Sequence, residues 1–75
     1  MTVRAKFRCD STKPSDSGNV IVLTPVTGGS SENDSFFRYT PGGLIQLSVV
    51  NDAAAAQFVL GAEYYVDFTP VNTEG

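Results

Sequence analysis

From Val3 to Asp10 the chain alternates apolar and polar residues without a break. Val3, Ala5, Phe7 and Cys9 take one phase, and Arg4, Lys6, Arg8 and Asp10 take the other. A period of two over this length predicts a half-buried strand. The run from Ser11 to Gly18 (Ser-Thr-Lys-Pro-Ser-Asp-Ser-Gly) favours turns and local side-chain bonding, which predicts a loop. Val20 to Val26 is β-branched and apolar in both phases, which predicts a well-covered strand with Pro25 at its end, at a bulge or at an edge. Thr27 to Ser35 is polar and predicts a second loop.

Phe36-Phe37-Arg38-Tyr39-Thr40 is short and aromatic, Pro41-Gly42-Gly43 is a turn signal, and Leu44 to Val50 is strand-like again. Together they predict a hairpin. Asn51 suits an N-cap, Asp52 suits the positive end of a helix, Ala53 to Ala56 favour helix and Gly61 suits its end. The result is one short helix near residues 52–59 with Phe58 as its anchor. Glu63 to Thr69 alternates once more, with Tyr64, Val66 and Phe68 in one phase. The expected fold is therefore mainly β: a small five-stranded SH3-like or OB-like barrel with one short helix before the last strand. Residues 1–75 are read as a single domain. The expected core is Val3, Phe7, Ile21, Leu23, Leu47, Val49, Phe58, Val66 and Phe68, and truncating Phe68 is expected to be severe.

Composition narrows the chemistry. The chain has no histidine and one cysteine, Cys9. Serine and cysteine nucleophile systems that depend on histidine are excluded, and the remaining metal-ligand set is poor. Cys9 lies in phase with apolar neighbours and reads as a small buried hydrophobe in a reducing compartment. A net charge of −3 argues against general duplex binding. No apolar run is long enough to span a bilayer, and no secretory leader is expected, so the cytoplasm of the cell that makes the protein is the expected location. Asn33-Asp34-Ser35 matches a glycosylation sequon but reads as chance.

Four groups of residues are candidate sites. Arg4, Lys6 and Arg8 form a basic stripe able to hold phosphate, a nucleotide or an acidic surface, with Arg38 as a further cation. The competing reading pairs the stripe with Glu63 and Asp67 of the last strand. Adjacent aromatics on a strand point to opposite faces, so Tyr65 of the Tyr64-Tyr65 pair is expected to be exposed and available for contact. The stripe and the aromatics also allow single-stranded nucleic acid, against the net acidity. Gly28-Gly29-Ser30-Ser31 reads as a flexible connector, because no helix is expected after it. Glu32, Asp34 and Asp52 are acids of the kind that serve in glycoside hydrolysis, but they read as solvated or capping groups.

Three segments carry a resemblance: Phe36-Phe37-x-Tyr39-Thr40-Pro41-x-Gly43, Asn51-x-Ala53-Ala54-Ala55-x-Gln57-Phe58, and Gly61-x-Glu63-Tyr64-Tyr65-Val66-Asp67-Phe68-Thr69-Pro70. With Val3-x-Ala5-Lys6-Phe7 and Pro25-Val26-x-x-Gly29-Ser30-x-Glu32-Asn33, they resemble short proteins of tailed bacteriophages and prophages. Leu60 stands where that pattern has proline. The resemblance brings no established activity and no site residues. It implies a non-enzymatic binding protein without a cofactor, either a host-directed accessory of anti-defence type or a minor virion component. The expected partner is a host protein or a small anionic ligand, and the expected location is the host cytoplasm or, for a virion component, the virion. Open strand edges and surplus aromatics add an expected homodimer.

Overall fold

The computed structural model describes residues 3–16 and 18–71. The first element, β1 (Val3–Ser15), runs antiparallel to β2 (Gly18–Pro25), with Ser15 opposite Gly18. Residues 11–15, expected as loop, are therefore strand. Their backbone supplies the ladder partners that Gly18 to Val22 require, and ladder bonds need no apolar side chains. The register shifts between Cys9 and Ser11. That bulge ends the alternation seen in the sequence and puts Thr12, opposite Ile21, on the face that Cys9 occupies before it.

The largest departure from expectation is α1 (Ser31–Tyr39), which replaces the predicted loop from Ser31 onward and the predicted aromatic strand, while residues 27–30 remain loop as expected. Its ends explain it. The Ser30 hydroxyl accepts the Asn33 backbone N–H at 3.0 Å, Glu32 and Asp34 occupy the first turn, and Arg38 occupies the last. Thr40 closes the helix by donating its N–H to the Phe36 carbonyl at 2.8 Å. Pro41 to Gly43 then joins a helix to a strand instead of turning a hairpin.

β3 (Ile45–Val49) pairs antiparallel with β2. α2 (Asp52–Ala55) is one turn, capped by the Asn51 side chain, which accepts the Ala54 N–H at 2.9 Å. It stops short of residue 59, and the Tyr64 hydroxyl serves the backbone that follows. That hydroxyl donates to the Gln57 carbonyl and accepts the Val59 N–H, both at 2.8 Å. β4 (Glu63–Phe68) returns beside β1.

The sheet order is β3-β2-β1-β4, antiparallel throughout. β3 and β4 do not pair with each other, so the sheet is a curled half-barrel. Among the described residues there are four strands, not five. Ala5, Phe7, Cys9, Ile21 and Leu23 form the buried cluster, with Ile45, Val49, Phe58, Tyr64 and Val66 packed against it. The Phe58 and Tyr64 rings lie 5.7 Å apart over this cluster. Three expected core residues are exposed: Val3 at 63 %, Leu47 at 40 % and Phe68 at 54 %. Val3 pairs with Phe68 and Leu47 with Ile21, so all three lie on the apolar face, but outside its buried cluster. Among the described residues no helix is long and apolar enough to cross a membrane.

Candidate binding face beneath the first helix

The β1–β4 register sets acid against base. Arg4 stands opposite Asp67, Lys6 opposite Tyr65 and Arg8 opposite Glu63. Period two puts all six side chains on the face away from the buried cluster. α1 lies against that face, because Lys6, Tyr65 and Glu63 each bond to a residue in its first turn.

The basic stripe is satisfied from within. The Arg4 guanidinium donates from Nε and Nη2 to the two Asp67 carboxylate oxygens, at 2.7 and 3.0 Å. Its carbon lies 4.8 Å from the centre of the Tyr65 ring. Lys6 Nζ is 2.8 Å from a Glu32 oxygen and 3.4 Å from Glu63, with only 13 % of its side chain exposed. Arg8 lies at 3.7 Å from Asp10, a looser pair. Arg38 is exposed in the last turn of α1 and makes no ion pair among the described residues. Of the residues picked from sequence, Arg4, Lys6 and Tyr65 come together, while Arg8 stands beside them and Arg38 lies apart on α1. The first three face carboxylates, which leaves little charge for an external anion.

Glu32 is the hub. The same oxygen accepts from Lys6 Nζ and, at 2.6 Å, from the Tyr65 hydroxyl. The hydrogen bond from Lys6, then that from Tyr65, holds the Glu32 carboxyl below the usual range. The same bonds push Lys6 and the Tyr65 phenol upward. The Arg4 bonds lower Asp67 and raise Arg4 in turn.

Asn33, which the sequence reading did not select, ties α1 to the sheet. It is 3 % exposed, and its amide nitrogen donates to the Gly28 carbonyl and to Glu63, both at 2.9 Å. Both acceptors fix the amide's orientation and leave the Asn33 Oδ1 buried without a partner. In the folded chain the amide nitrogen of this sequon asparagine is buried and both its hydrogens are engaged. Its signal was its place three residues after Ser30, where a capped first turn puts a side chain against the sheet.

The Gly28-Gly29 segment does open a helix after a strand, contrary to the sequence reading. Glu32 and Asp34 in the first turn oppose an anion there, and the Ser30 cap already takes the Asn33 N–H. Asp52, the third acid of the group, opens α2. No set of three or more potential metal ligands clusters among the described residues.

At the far end of the opposite, apolar face lies a groove of about 460 Å³ lined by Val3, Phe68, Thr69 and Pro70. Sequence reasoning placed Val3 and Phe68 in the core and so missed it. Neither a protein-family model, nor a curated protein, nor a solved structure matches the chain.

Proposed function

We propose that the chain is a non-enzymatic protein-binding module of a tailed phage or prophage, acting in the host as an accessory of anti-defence type. The observation that carries the protein-binding part is the apolar groove at Val3 and Phe68, beside a polar face whose cations already hold carboxylates. An apolar pocket with little charge suits a side chain of another protein better than a phosphate or nucleotide. The phage setting rests on the sequence resemblance. The small anionic ligand and single-stranded nucleic acid are the weaker partners for the same reason.

In this reading a partner side chain seats in the groove at the end of β4, and the curled four-stranded sheet is the open form of the SH3-like or OB-like barrel. Affinity capture from host lysate tests the proposal: wild type retains a partner that Phe68→Asp loses, while Lys6→Gln keeps it. No capture, together with a thermal shift on a nucleotide panel, would reverse the preference in favour of an anionic ligand.

A virion component is the second reading, favoured by the flat shape of 42 × 36 × 18 Å with strand edges on two sides. Many copies in purified particles by mass spectrometry would select it.

A further inference from the structure

β3 is an outer strand of the sheet, so one side of its backbone has no neighbouring strand. Edge strands ordinarily carry charge, proline or a bulge that discourages pairing. The segment Leu44-Ile45-Gln46-Leu47-Ser48-Val49-Val50 has no charged residue and no proline. Its pairing with β2 runs without a bulge from Asn19–Val49 to Leu23–Ile45. The other outer strand, β4, carries Glu63 and Asp67. Leu44, Leu47 and Val50 are exposed on or beside β3. An uncharged, apolar edge without a bulge is a template for another strand.

The residue order along β3 selects the partner. Laid antiparallel on itself about Leu47, the segment sets Ile45 against Val49, Gln46 against Ser48 and Leu44 against Val50, with Leu47 meeting its own copy. Apolar residues meet apolar residues, and an amide meets a hydroxyl. Sliding by one residue puts the two apolar sets on opposite faces. Sliding by two sets Ile45 against Asn51, or Val49 against Gly43. The segment is therefore self-complementary about a two-fold axis in one register.

We infer that β3 pairs with β3 of a second copy, antiparallel about Leu47, to make one eight-stranded sheet in the order β4-β1-β2-β3-β3-β2-β1-β4. The inference is independent of the proposed function, because the Val3–Phe68 groove lies at the β1–β4 side of the sheet.

Sedimentation equilibrium at micromolar concentration tests it together with cross-linking. The wild type should sediment at twice its 8.0 kDa mass. Opposed residues on antiparallel strands have Cα atoms about 4.5–5.5 Å apart, a spacing a disulfide accepts. Mild oxidation should therefore convert Leu47→Cys to a covalent dimer, while Val3→Cys and the wild type, whose Cys9 is buried, stay uncross-linked. Leu47→Lys should be monomeric. Should Leu47→Lys fail to fold, Gln46→Lys with Ser48→Lys places like charges opposite each other on the solvent side and should give a folded monomer. A monomeric wild type, a dimer that survives the edge charges, or cross-linking at Val3 in place of Leu47 would overturn the inference.

Discussion

Arg4 and Asp67 stand directly opposite each other on β1 and β4, and their side chains meet through two hydrogen bonds, at 2.7 and 3.0 Å. That contact shows what the charged face does. Each cation of β1 between residues 4 and 8 has a carboxylate or a phenol opposite it on β4. Lys6, the central one, also takes Glu32 from α1. The network fixes the β1–β4 register and seats the helix, and the apolar groove and the β3 edge lie apart from it.

The network predicts an acid limb in stability. Glu32 and Asp67 have folded-state carboxyls below their ordinary range. Their contribution is therefore present above the ordinary carboxylate value, about pH 4, and is lost as pH falls through the lowered values. Lys6 and the Tyr65 phenol are shifted upward, so their contribution is present below their ordinary values and is lost as pH rises through the raised ones. Thermal unfolding against pH should show a plateau around neutrality. Glu32→Gln and Asp67→Asn should each flatten the acid side. In an ultraviolet titration Tyr65→Phe should remove a late-ionising tyrosine, and Glu32→Gln should move that tyrosine to lower pH. An unchanged titration in Glu32→Gln would show that the Tyr65–Glu32 bond does not form in solution.

Two phenylalanines of the same apolar face should differ sharply. Phe7 is 4 % exposed in the buried cluster, whereas Phe68 is more than half exposed. Phe7→Ala removes a packed ring and should cost about 3–5 kcal/mol. A chain of this length has roughly 4–11 kcal/mol in all, so Phe7→Ala should lose a large share of its stability. Phe68→Ala should remain folded, with a much smaller loss. Urea denaturation of both variants checks the order, and equal losses would mean that Phe68 is covered in solution.

The sequence showed most clearly those parts where one side chain pattern maps onto one face. Phe7, Ile21 and Leu23 were legible because alternation marks a buried strand face directly. Val3, Leu47 and Phe68 share the pattern but not the burial, since alternation reports the face and not what covers it. Residues 11–15 were hidden by the bulge after Cys9, which breaks the phase. α1 was hidden because Ser, Asn and Asp are poor helix formers and Phe36-Phe37 suggests a strand. Its end signals were present in Ser30, the acids Glu32 and Asp34, and Arg38. The pairing of Arg4 with Asp67 followed from assuming that the first and last strands are neighbours, but the place of Asn33 required the helix.

Those end signals predict the effect of Ser30→Ala. The hydroxyl holds the Asn33 N–H at 3.0 Å, and removing such a cap typically costs about 1 kcal/mol. Because α1 carries Glu32 and Asn33, fraying its first turn should also loosen their contacts with the sheet. Hydrogen exchange should speed up through Glu32 to Ser35 in Ser30→Ala, and Ser30→Asp should restore protection. Exchange confined to the single amide at Asn33 would show that the cap does not control the turn.

Gly18 is the position where backbone geometry leaves the least choice. It pairs with Ser15 at the turn end of the β1–β2 hairpin, with φ at +129°, a region L side chains rarely adopt. A Cβ there would also lie 2.5 Å from the Val49 carbonyl oxygen and 2.9 Å from the Val50 Cα. Both obstacles are backbone atoms, so no rotamer change relieves them. The conformation alone costs on the order of 1–3 kcal/mol for a non-glycine residue, and the contact adds to it. Gly18→Ala should therefore destabilise by more than about 2 kcal/mol and detach the end of β3, since Asn19–Val49 is the adjacent β2–β3 pair. Gly42→Ala is the control: nothing lies within 4 Å of its Cβ position, so it should be neutral or slightly stabilising. Chemical denaturation gives the cost, and hydrogen exchange at Val49 and Val50 locates it. A stable Gly18→Ala with full protection at those amides would mean that β3 does not approach the hairpin turn this closely.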